Sequence, residues 1–365
     1  MKSVNILIPT LNVGGGEKAA IKNASLFCDM GYDVTIVVFL ERVILEVPPN
    51  IKVKKITSLK KFIEFCASIH HRNDIINISM LERANAINIL LFLFLKSNSV
   101  LSIHTAPKVG FNNRAVYKRF FITFFYKLSS ILSIPIISVS NGIAHDLNEL
   151  YGIKNSFVIP NFIPERQLAR DIQKDNDNVR FLFLGRLEKI KGIDVLVNSI
   201  QKLDELDCQC TITFVGNGSQ MRFLSKSLDN IKNININIVG EVDDPSPYLS
   251  ESNYLLSTSY AEGFGLVILE ALSFGCDVVY SKCDFGPREI LSYDVNNNIS
   301  VGFLDPSIDF DRSSDELTNI MRLLVKNKNS TSDKCKEVIR SDILSLYSKE
   351  EVKSKYNLFF KHVGF

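Results

Sequence analysis

Apolar, strand-like runs alternate with helical segments in both halves of this 365-residue chain. "VNILIP" is followed by the helical "GEKAAIKNASLFCDMG" and then by "DVTIVVFL", which is a βαβ pattern. After the midpoint the pattern restarts with "VRFLFLG", the helical "IDVLVNSIQKL" and "CTITFVG". Such a restart predicts a second doubly wound domain with its own parallel sheet. We therefore expect an α/β chain of two facing Rossmann-like domains with a deep cleft between them.

Composition and charge narrow the function classes. The chain is 46% hydrophobic and 22% charged, as folded globular proteins are. Residues 1–165 hold 18 Lys and Arg against 11 Asp and Glu, a balance of +7, and the rest holds 24 against 29, a balance of −5. The basic first half indicates an anionic partner or surface, although it is not basic enough to indicate a nucleic-acid binder.

Targeting and redox signals are weak in this sequence. No continuous apolar run reaches the roughly 18 residues of a membrane span, and the N-terminus resembles a first strand rather than a signal peptide. The seven Cys include no CxxC pair, so free thiols are expected. A cytoplasmic location follows as an expectation.

Three consecutive glycines, Gly14 to Gly16, stand between the first strand and the first helix in "TLNVGGGEKAA". Glycines at this position let a ligand approach the backbone and leave helix N-terminal amides for an anion. The ordered spacing of a dinucleotide fingerprint is absent, so a plain tight turn remains the alternative.

Two cations follow the strand that opens the second half, in "FLGRLEKIKGIDVL". Arg186 and Lys191 are expected just past the strand end, and Gly192 lets a helix start nearby. Two cations from one loop suit a diphosphate, because the charge that departs when a bond breaks must be neutralised. The alternative is a solvated loop.

Two carboxylates eight residues apart frame an apolar run in "SYAEGFGLVILEALSFG". If a helix begins near Phe264, Glu270 lies in its second turn and Glu262 in the preceding loop, about 12 Å away. The two could then hold separate hydroxyl groups of one extended ligand, with the amides of Gly265 and Leu266 facing an anion between them. The alternative is one carboxylate at a helix terminus and one partly exposed helical residue.

Together these stretches resemble the retaining, nucleotide-sugar-dependent glycosyltransferases of the GT-B fold, in the large family usually numbered four. The resemblance extends over nearly the whole chain and includes "IPTLNVGGGEK", "ISVSNGIAHDL", "VIPNFIP", "GRLEKIKG", "FVGNGSQ" and "EGFGLVILEALSFGCDVV". The Glu-x7-Glu pattern is its most specific mark, and the Arg-x4-Lys-Gly spacing supports it independently.

The resemblance implies a domain division. An N-terminal acceptor-side domain is expected over 1–165 and a C-terminal nucleotide-sugar-binding domain over 166–345. Residues 346–365 are expected to cross back to the first domain and to pack Tyr356, Phe359 and Phe360 there.

The resemblance also implies roles for residues of the second domain. Arg186 and Lys191 would hold the donor diphosphate and stabilise the leaving group, and Glu270 would bind the ribose hydroxyls. Glu262 would hold the transferred sugar, together with helix-start amides that also reach the β-phosphate. Those amides belong to Phe264, Gly265 and Leu266.

Further roles follow from the same resemblance. The Gly15–Gly16 turn would approach the donor phosphates from the first domain. His104, in "LSIHTAPK", matches a position where the family often has a His contacting the sugar near the reacting carbon, and a structural His is the alternative. Val242, in "GEVDDPSPYL", falls where the family's backbone recognises the nucleotide base.

The implied reaction needs neither cofactor nor metal. Transfer with retention passes through a cationic sugar, so the site must stabilise a leaving diphosphate and exclude water. The family's favoured mechanism is front-face attack, in which the departing phosphate takes the acceptor's proton and protein cations act where a metal acts elsewhere. The pairs Asp175/Asp177 and Asp309/Asp311 resemble the metal motif of the other glycosyltransferase fold, but they lie in polar segments and are interpreted as solvated loops.

The donor and acceptor are less sharply indicated. "CDFGPREIL" is similar to a subgroup that uses UDP-linked sugars in bacterial surface polysaccharide assembly, such as capsule and O-antigen, with GDP as the alternative. The expected reaction moves a hexose or N-acetylhexosamine from a UDP-sugar to a glycan or polyprenyl-linked oligosaccharide. Arg288 is left out of the site, because it could equally be a surface residue at a helix start.

A basic, aromatic-rich segment in the first half bears on location. Residues 115–132, "AVYKRFFITFFYKLSSIL", mix Lys118, Arg119 and Lys127 with Phe and Tyr, and "KVKKITSLKKFIEF" adds a second basic cluster. Such helices lie well on an anionic membrane, although the Phe side chains could instead form the core of the first domain. The +7 balance favours peripheral attachment at the inner face of the plasma membrane and a lipid-linked acceptor.

Two competing functions remain. A GT-B nucleotide-sugar epimerase or hydrolase would need an additional acid or base. A non-catalytic nucleotide-sugar-binding or scaffold subunit of a polysaccharide assembly complex usually lacks the cations or the first Glu. Here Arg186, Lys191, Glu262 and Glu270 are all present, which favours catalysis.

Overall fold

The computed structural model describes residues 2–12, 14–40, 45–108, 116–163, 178–327 and 333–365. The chain divides into two compact units, Met1–Phe162 with Lys349–Phe365, and Ile163–Ser348. We call these unit 1 and unit 2; the sequence placed the corresponding boundaries at 165 and 346. Each unit contains one parallel sheet flanked by helices, so the predicted α/β class with two parallel sheets is confirmed.

Unit 1 has a seven-stranded sheet in the order β3-β2-β1-β4-β5-β6-β7, with every neighbouring pair parallel. Its strands are β1 Ser3–Ile8, β2 Asp33–Val38, β3 Lys52–Lys55, β4 Ile75–Met80, β5 Asn98–Ile103, β6 Ile136–Ser138 and β7 Ser156–Val158. Its helices are α1 Gly15–Asp29, α2 Leu59–Ile69, α3 Glu82–Leu95, α4 Val116–Ile131, α5 Asn141–Tyr151 and, from the end of the chain, α13 Lys349–His362.

Helix α13 completes the core of unit 1. Its Tyr356, Phe359 and Phe360 are buried in the cluster that also contains Phe27 of α1. The Phe27 and Tyr356 rings meet edge to face with centroids 4.8 Å apart, and the Asn23 amide donates to the Tyr356 hydroxyl at 3.3 Å. Buried aromatic pairs of this kind add to the free energy gained by removing apolar surface from water. The aromatic stripe of the last helix is therefore a packing surface.

Unit 2 has a six-stranded parallel sheet in the order β10-β9-β8-β11-β12-β13. Its strands are β8 Arg180–Leu184, β9 Cys210–Val215, β10 Ile234–Gly240, β11 Tyr254–Ser257, β12 Asp277–Ser281 and β13 Ser300–Phe303. Its helices are α6 Ile193–Glu205, α7 Met221–Leu228, α8 Ser246–Glu251, α9 Leu266–Ser273, α10 Pro287–Leu291, α11 Phe310–Lys326 and α12 Asp333–Leu346.

Both sheets reverse their strand order at one point. In unit 1 the chain runs outward from β1 through β2 and β3, then returns to add β4 on the other side; in unit 2 the same switch lies between β8 and β11. In doubly wound sheets a crevice forms outside the carboxyl ends of the strands at this switch, and ligands bind there. The fold thus marks one expected ligand-binding edge in each unit.

Helix α4 carries the basic, aromatic-rich segment, and much of its aromatic surface faces solvent. Phe120, Phe121 and Phe124 are each more than half exposed, whereas Tyr126 is buried. The alternative that these three Phe side chains form the core of unit 1 is therefore wrong. Among the described helices, none has both the length and the apolar character that crossing a membrane requires.

Candidate active site

An ion pair lies at the switch point of unit 2. The Lys191 ammonium, just after β8, lies 2.5 Å from Oε1 of Glu262, in the loop between β11 and α9. The Ser259 hydroxyl donates to the same oxygen at 2.7 Å. The Lys191 and Glu262 side chains are only 22% and 10% exposed, so water screens this pair less than a surface pair.

Backbone contacts hold the two loops of this pair together. The Thr258 hydroxyl donates to the carbonyl of Lys191 at 2.8 Å, and the amide of Tyr260 donates to the carbonyl of Ile190 at 2.9 Å. Gly192 has a φ of +67°, and a Cβ at this position would overlap the carbonyl oxygen of Thr258. The glycine that follows Lys191 is therefore required both by conformation and by close packing.

A second glycine supports the carboxylate side of the pair. Gly286, which begins the "GPRE" turn, has a φ of +75°, and a Cβ there would lie 2.9 Å from Cβ of Glu262 and 3.0 Å from the carbonyl oxygen of Phe264. The Ser281 hydroxyl donates to the carbonyl of Ser259 at 2.5 Å. Sequence analysis used this segment only to judge the donor and missed its contact with Glu262. The one signal available was the glycine itself.

Helix α9 begins as the sequence predicted. Gly265 is its N-cap with a φ of +88°, Leu266 is its first residue, and no side chain caps its first amides. The Phe264 side chain is buried, with its ring edge to face against Tyr347 at 5.6 Å. Uncapped amides at a helix N-terminus are suited to an anion.

The remaining predicted residues of unit 2 lie at separate positions. Glu270 is half-buried in the second turn of α9, with Glu262 in the loop before it, as predicted. Arg186 is exposed just past β8, and its side chain makes no hydrogen bond or ion pair within the described part of the chain. Val242 is half-buried in the loop between β10 and α8. The structure thus brings Lys191 and Glu262 into contact.

The glycine run of unit 1 does not have the conformation that would demand glycine. Gly14 is the N-cap of α1 with a φ of −166°, and neither Gly15 nor Gly16 has a positive φ. A Cβ at Gly15 would meet nothing within 4 Å, whereas one at Gly16 would lie 2.9 Å from the Leu81 side chain. Close packing against Leu81 explains Gly16, and Gly15 leaves its backbone open to approach.

His104 lies directly after β5 in unit 1. Its Nε2 is 2.9 Å from the Ser102 hydroxyl, and burial lowers its pKa to about 4. The imidazole is therefore neutral at neutral pH and can serve as a hydrogen-bond partner but not as a cation.

A cavity of about 340 Å³ lies at the carboxyl ends of β1, β4 and β5, and His104 contributes to its wall. The charged side chains that line it are Glu82 and Arg83 at the start of α3 and Arg119 from α4, and Asn85 adds a buried amide. Arg119 belongs to the basic, aromatic-rich segment noted in the sequence, but no motif or spacing marked Glu82, Arg83 or Asn85 or joined them to it, because they come from a separate element.

Of the two Asp pairs interpreted as solvated loops, Asp309 and Asp311 are exposed but lie at the start of helix α11 rather than in a loop. Asp309 caps α11 by accepting from the amide of Arg312 at 3.0 Å, and Asp311 lies in the first turn of that helix; Asp175 and Asp177 lie outside the described residues. His145, Asp146 and Glu149 lie close enough together to bind an ion, but the Lys108 ammonium already lies 2.5 Å from Glu149 and 3.6 Å from Asp146.

Sequence comparisons find a family match in the second half of the chain. The family described as "Glycosyl transferases group 1" matches residues 178–321. A Staphylococcus aureus protein named capsular polysaccharide biosynthesis glycosyltransferase CapH is 32% identical over 134 residues, 36% of each chain. The first curated relatives are matched over only 19% to 46% of their own length.

One relative aligns over most of the chain. It is the Campylobacter jejuni N-acetylgalactosamine-N,N'-diacetylbacillosaminyl-diphospho-undecaprenol 4-alpha-N-acetylgalactosaminyltransferase, 23% identical over 80% of this chain and 84% of its own.

Solved structures match the chain almost end to end. Sucrose-phosphate synthase from Thermosynechococcus elongatus superposes with a TM-score of 0.80 at 15% identity, covering 99% of both chains. Anabaena Alr3699/HepE, solved in complex with UDP, superposes with a TM-score of 0.73 at 15% identity over 99% of this chain and 100% of its own. The chain has the fold of the GT-B glycosyltransferases, and its residues 178–321 match the family described as glycosyl transferases group 1.

Proposed function

We propose that this protein is a retaining glycosyltransferase that moves a hexose or N-acetylhexosamine from a UDP-linked sugar to a glycan or lipid-linked glycan in cell-surface polysaccharide biosynthesis. The observation that carries the proposal is the contact between Lys191 and Glu262 at the switch point of unit 2, beside the uncapped start of α9. Cation, carboxylate and free helix amides are the three groups that an anionic sugar donor needs.

The diphosphate would bind through positive charge. The Lys191 ammonium and the exposed Arg186 guanidinium both follow β8, and the amides at the start of α9 add the positive end of a helix dipole. These groups stabilise the negative charge that develops on the leaving diphosphate as the glycosidic bond breaks. Protein cations thereby take the role of a metal, and we propose a metal-independent reaction.

The polyol parts of the donor would bind through carboxylates. Glu262 is fixed by Lys191 and by the Ser259 hydroxyl, so its second oxygen can accept from a sugar hydroxyl. Glu270 lies in the second turn of α9 and would accept hydrogen bonds from the ribose hydroxyls. Holding both ends of the donor orients the anomeric carbon for front-face attack by the acceptor.

The names of similar proteins support the choice of donor and acceptor. The HepE structure contains UDP, and the Campylobacter relative is named for a diphospho-undecaprenol acceptor. A Bacillus subtilis relative, 26% identical over 34% of this chain, is named a poly(glycerol-phosphate) alpha-glucosyltransferase. We propose from these an acceptor that carries phosphate.

We place the reaction at the cytoplasmic face of the plasma membrane. The exposed Phe120, Phe121 and Phe124 of α4 lie on one helix with the cations Lys118 and Lys127, a combination that suits an anionic membrane surface. A peripheral enzyme at this surface would meet a lipid-linked acceptor directly.

A donor screen tests the proposal. Purified protein is incubated with UDP- and GDP-linked hexoses and N-acetylhexosamines, with cell-envelope lipid extract as acceptor, in buffer with EDTA, and nucleotide release and glycolipid formation are both measured. We expect release of UDP and a product whose α-anomeric linkage matches the donor. Release of neither nucleotide by well-folded protein would rule out transfer, and activity that requires an added divalent ion would rule out metal independence.

A further inference from the structure

The cavity of unit 1 opens at the N-terminal end of helix α3. Leu81, Glu82 and Arg83, which begin that helix, and Asn85 in its first turn all line the cavity. Its other walls come from the segments that follow β1 and β5 and from α4, so it occupies the switch point of the unit 1 sheet. Of the residues that line the cavity, only His104 is among the catalytic and donor-binding residues predicted from the sequence.

Helix α3 begins at the cavity without a side-chain cap. It is 14 residues long, and its N-cap, Leu81, supplies no side-chain acceptor to the first amides. Leu81 also has a φ of +71°, which is costly for a residue with a side chain. The first amides of a helix carry its partial positive charge, so this end of the cavity favours an anion.

Two guanidinium groups reinforce that preference. Arg83 makes no side-chain hydrogen bond or ion pair within the described residues, and Arg119 reaches the cavity from α4. Glu82 offsets one of these charges, and His104 is neutral, so the net charge of the wall is positive. Arginine forks match the geometry of phosphate oxygens.

The buried side-chain amide of Asn85 indicates that the ligand also carries a hydroxyl group. Asn85 is only 3% exposed, and its Oδ1 has no hydrogen-bond partner among the described residues. A buried acceptor left without a donor is costly, so native proteins nearly always satisfy it. A ligand hydroxyl in the cavity would supply the donor.

We propose that this cavity binds the phosphate end of the acceptor, as a glycosyl phosphate or a polyol phosphate. The phosphate contacts the amides of α3 and the guanidinium groups of Arg83 and Arg119, and an adjacent hydroxyl donates to Asn85. The proposal rests on the proposed function, and it deepens that function by naming the chemical group of the acceptor that these residues bind.

Helix α4 links this cavity to the apolar surface described above. Arg119, Ile122 and Tyr126 line the cavity, while Phe120 and Phe124 of the same helix are exposed. A phosphate carried by a membrane lipid could therefore reach the cavity while its apolar chain stays in the bilayer. A soluble polyol-phosphate polymer would use the same phosphate contacts without the membrane.

Binding to small probes tests the site directly. Full-length protein is titrated by calorimetry with glucose 1-phosphate, with methyl glucoside and with inorganic phosphate. We expect Arg83→Gln to weaken glucose 1-phosphate binding roughly tenfold, because a charge-assisted hydrogen bond is lost. Asn85→Leu should weaken glucose 1-phosphate but not inorganic phosphate, and it should not lower the melting temperature. Lys154→Gln, which removes an exposed cation of unit 1 away from the cavity, should change neither.

Two further arms separate the sources of the phosphate. Undecaprenyl phosphate in phosphatidylcholine vesicles presents a lipid source, with undecaprenol vesicles as the uncharged control, and glycerol phosphate presents a soluble source. If the wild type binds undecaprenyl phosphate vesicles better than undecaprenol vesicles and Arg83→Gln does not, the lipid source is supported. If Arg83→Gln weakens only the binding of glycerol phosphate, the soluble source is supported.

Kinetics separate this proposal from the proposed function. In a working transfer assay, Arg83→Gln should raise the KM for acceptor roughly tenfold and leave the KM for donor unchanged. If Arg83→Gln and Arg119→Gln both bind every probe as tightly as the wild type does, the proposed phosphate site is refuted. The proposed transfer function is not affected by that result. Absence of transfer in the wild type with intact probe binding would overturn the proposed function instead.

Discussion

The Lys191 ammonium and the Glu262 carboxylate, 71 residues apart in the chain, are in contact at 2.5 Å. The cation proposed for the leaving diphosphate is thus already paired with the carboxylate proposed for the sugar. Under the proposed function, a donor would draw Lys191 toward its phosphates while Glu262 keeps the Ser259 hydroxyl as partner. Because both side chains are shielded, breaking this pair by mutation should affect catalysis and also cost some stability.

We expect Lys191→Ala and Glu262→Ala each to abolish transfer while the fold remains intact. Either change removes one group from the donor site and leaves the other charge partly buried without its partner. Initial rates of UDP release measure the effect, and circular dichroism confirms folding.

Lys189→Ala is the matched control, because Lys189 lies on the same 3-10 turn but is exposed, and the ion pair of Glu262 is with Lys191. Its transfer rate should stay near that of the wild type. A Lys191→Ala or Glu262→Ala enzyme that kept more than about a tenth of the wild-type rate, a loss under about 1.4 kcal/mol, would contradict the assigned roles.

A second prediction concerns the glycine after Lys191. Gly192→Ala should destabilise unit 2 strongly, because it combines a side chain at φ +67° with overlap against the carbonyl oxygen of Thr258. Gly240→Ala is the control: Gly240 also has a positive φ, +87°, but its Cβ would meet nothing within 4 Å. Gly240→Ala should lower the free energy of unfolding by only about 1 to 2 kcal/mol, which is the cost of placing a side chain at a positive φ. Urea unfolding curves compare the two variants, and equal losses would show that the contact with Thr258 has no energetic importance.

Part of the site could be predicted because it is local in sequence. The start of α9 at Leu266, with Glu262 in the preceding loop and Glu270 in the second turn, follows from the Gly-Phe-Gly turn and the apolar run. Helical periodicity and glycine placement encode such features within a dozen residues. The order of strands and helices could be predicted for the same reason.

The rest depends on contacts between distant segments. Nothing near Glu262 in sequence announces its contact with Lys191, or the support that Gly286 gives it. Likewise, the cavity of unit 1 joins Arg83 to Arg119 through strand order, and no spacing encodes that. Sequence patterns also left open whether the Phe residues of α4 are core or surface, because Phe and Lys occur at mixed spacing along that helix.

The neutral His104 gives a prediction for pH. Burial lowers its pKa from 6.5 to about 4. Between those values the unfolded chain binds more protons than the folded one, so the free energy of unfolding should rise as the pH increases from about 4 to about 6.5 and then level off. The full difference corresponds to about 3 kcal/mol. The measurement is urea unfolding of unit 1 at about pH 4.5 and about pH 7.

His104→Gln separates this effect from other titrating groups. Glutamine can still bond the Ser102 hydroxyl but does not titrate, so the variant should show a smaller change of unfolding free energy between the two pH values. His70→Gln, which replaces an exposed histidine of unit 1, should keep the wild-type change. An unaltered pH dependence in His104→Gln would refute the assignment.

A buried ionic group in unit 2 predicts a large stability effect far from the donor site. The Asp277 carboxylate accepts from the Lys336 ammonium at 2.6 Å and from the Arg340 guanidinium, and its side chain is 12% exposed. Asp277→Ala leaves two shielded cations without a counter-charge, so we expect a loss of about 3 kcal/mol or more in urea unfolding. Asp315→Ala breaks a solvent-exposed pair with Lys202 and should cost under about 1 kcal/mol. Comparable losses in the two variants would contradict this difference in burial.

The last prediction concerns the exposed face of α4. Phe120, Phe121 and Phe124 project from a helix that contains no acidic residue, and neighbouring α3 also exposes Leu93 and Phe94. Burying three Phe side chains in a bilayer interface is favourable, so replacing all three with Ser should weaken binding to anionic vesicles at least about tenfold. Co-sedimentation with phosphatidylglycerol vesicles over a range of salt concentrations measures this.

A matched triple variant tests whether the α4 face itself is responsible. Leu206, Phe223 and Leu358 are exposed apolar residues on other elements, and their replacement by Ser also removes apolar surface from solvent. This control should pellet with vesicles as the wild type does. Since Lys118 and Lys127 would contribute by charge, added salt should weaken wild-type binding without abolishing it. A wild-type protein that stays in the supernatant at every salt concentration would remove the membrane from the proposed function, and equal binding by both triple variants would move the contact away from α4.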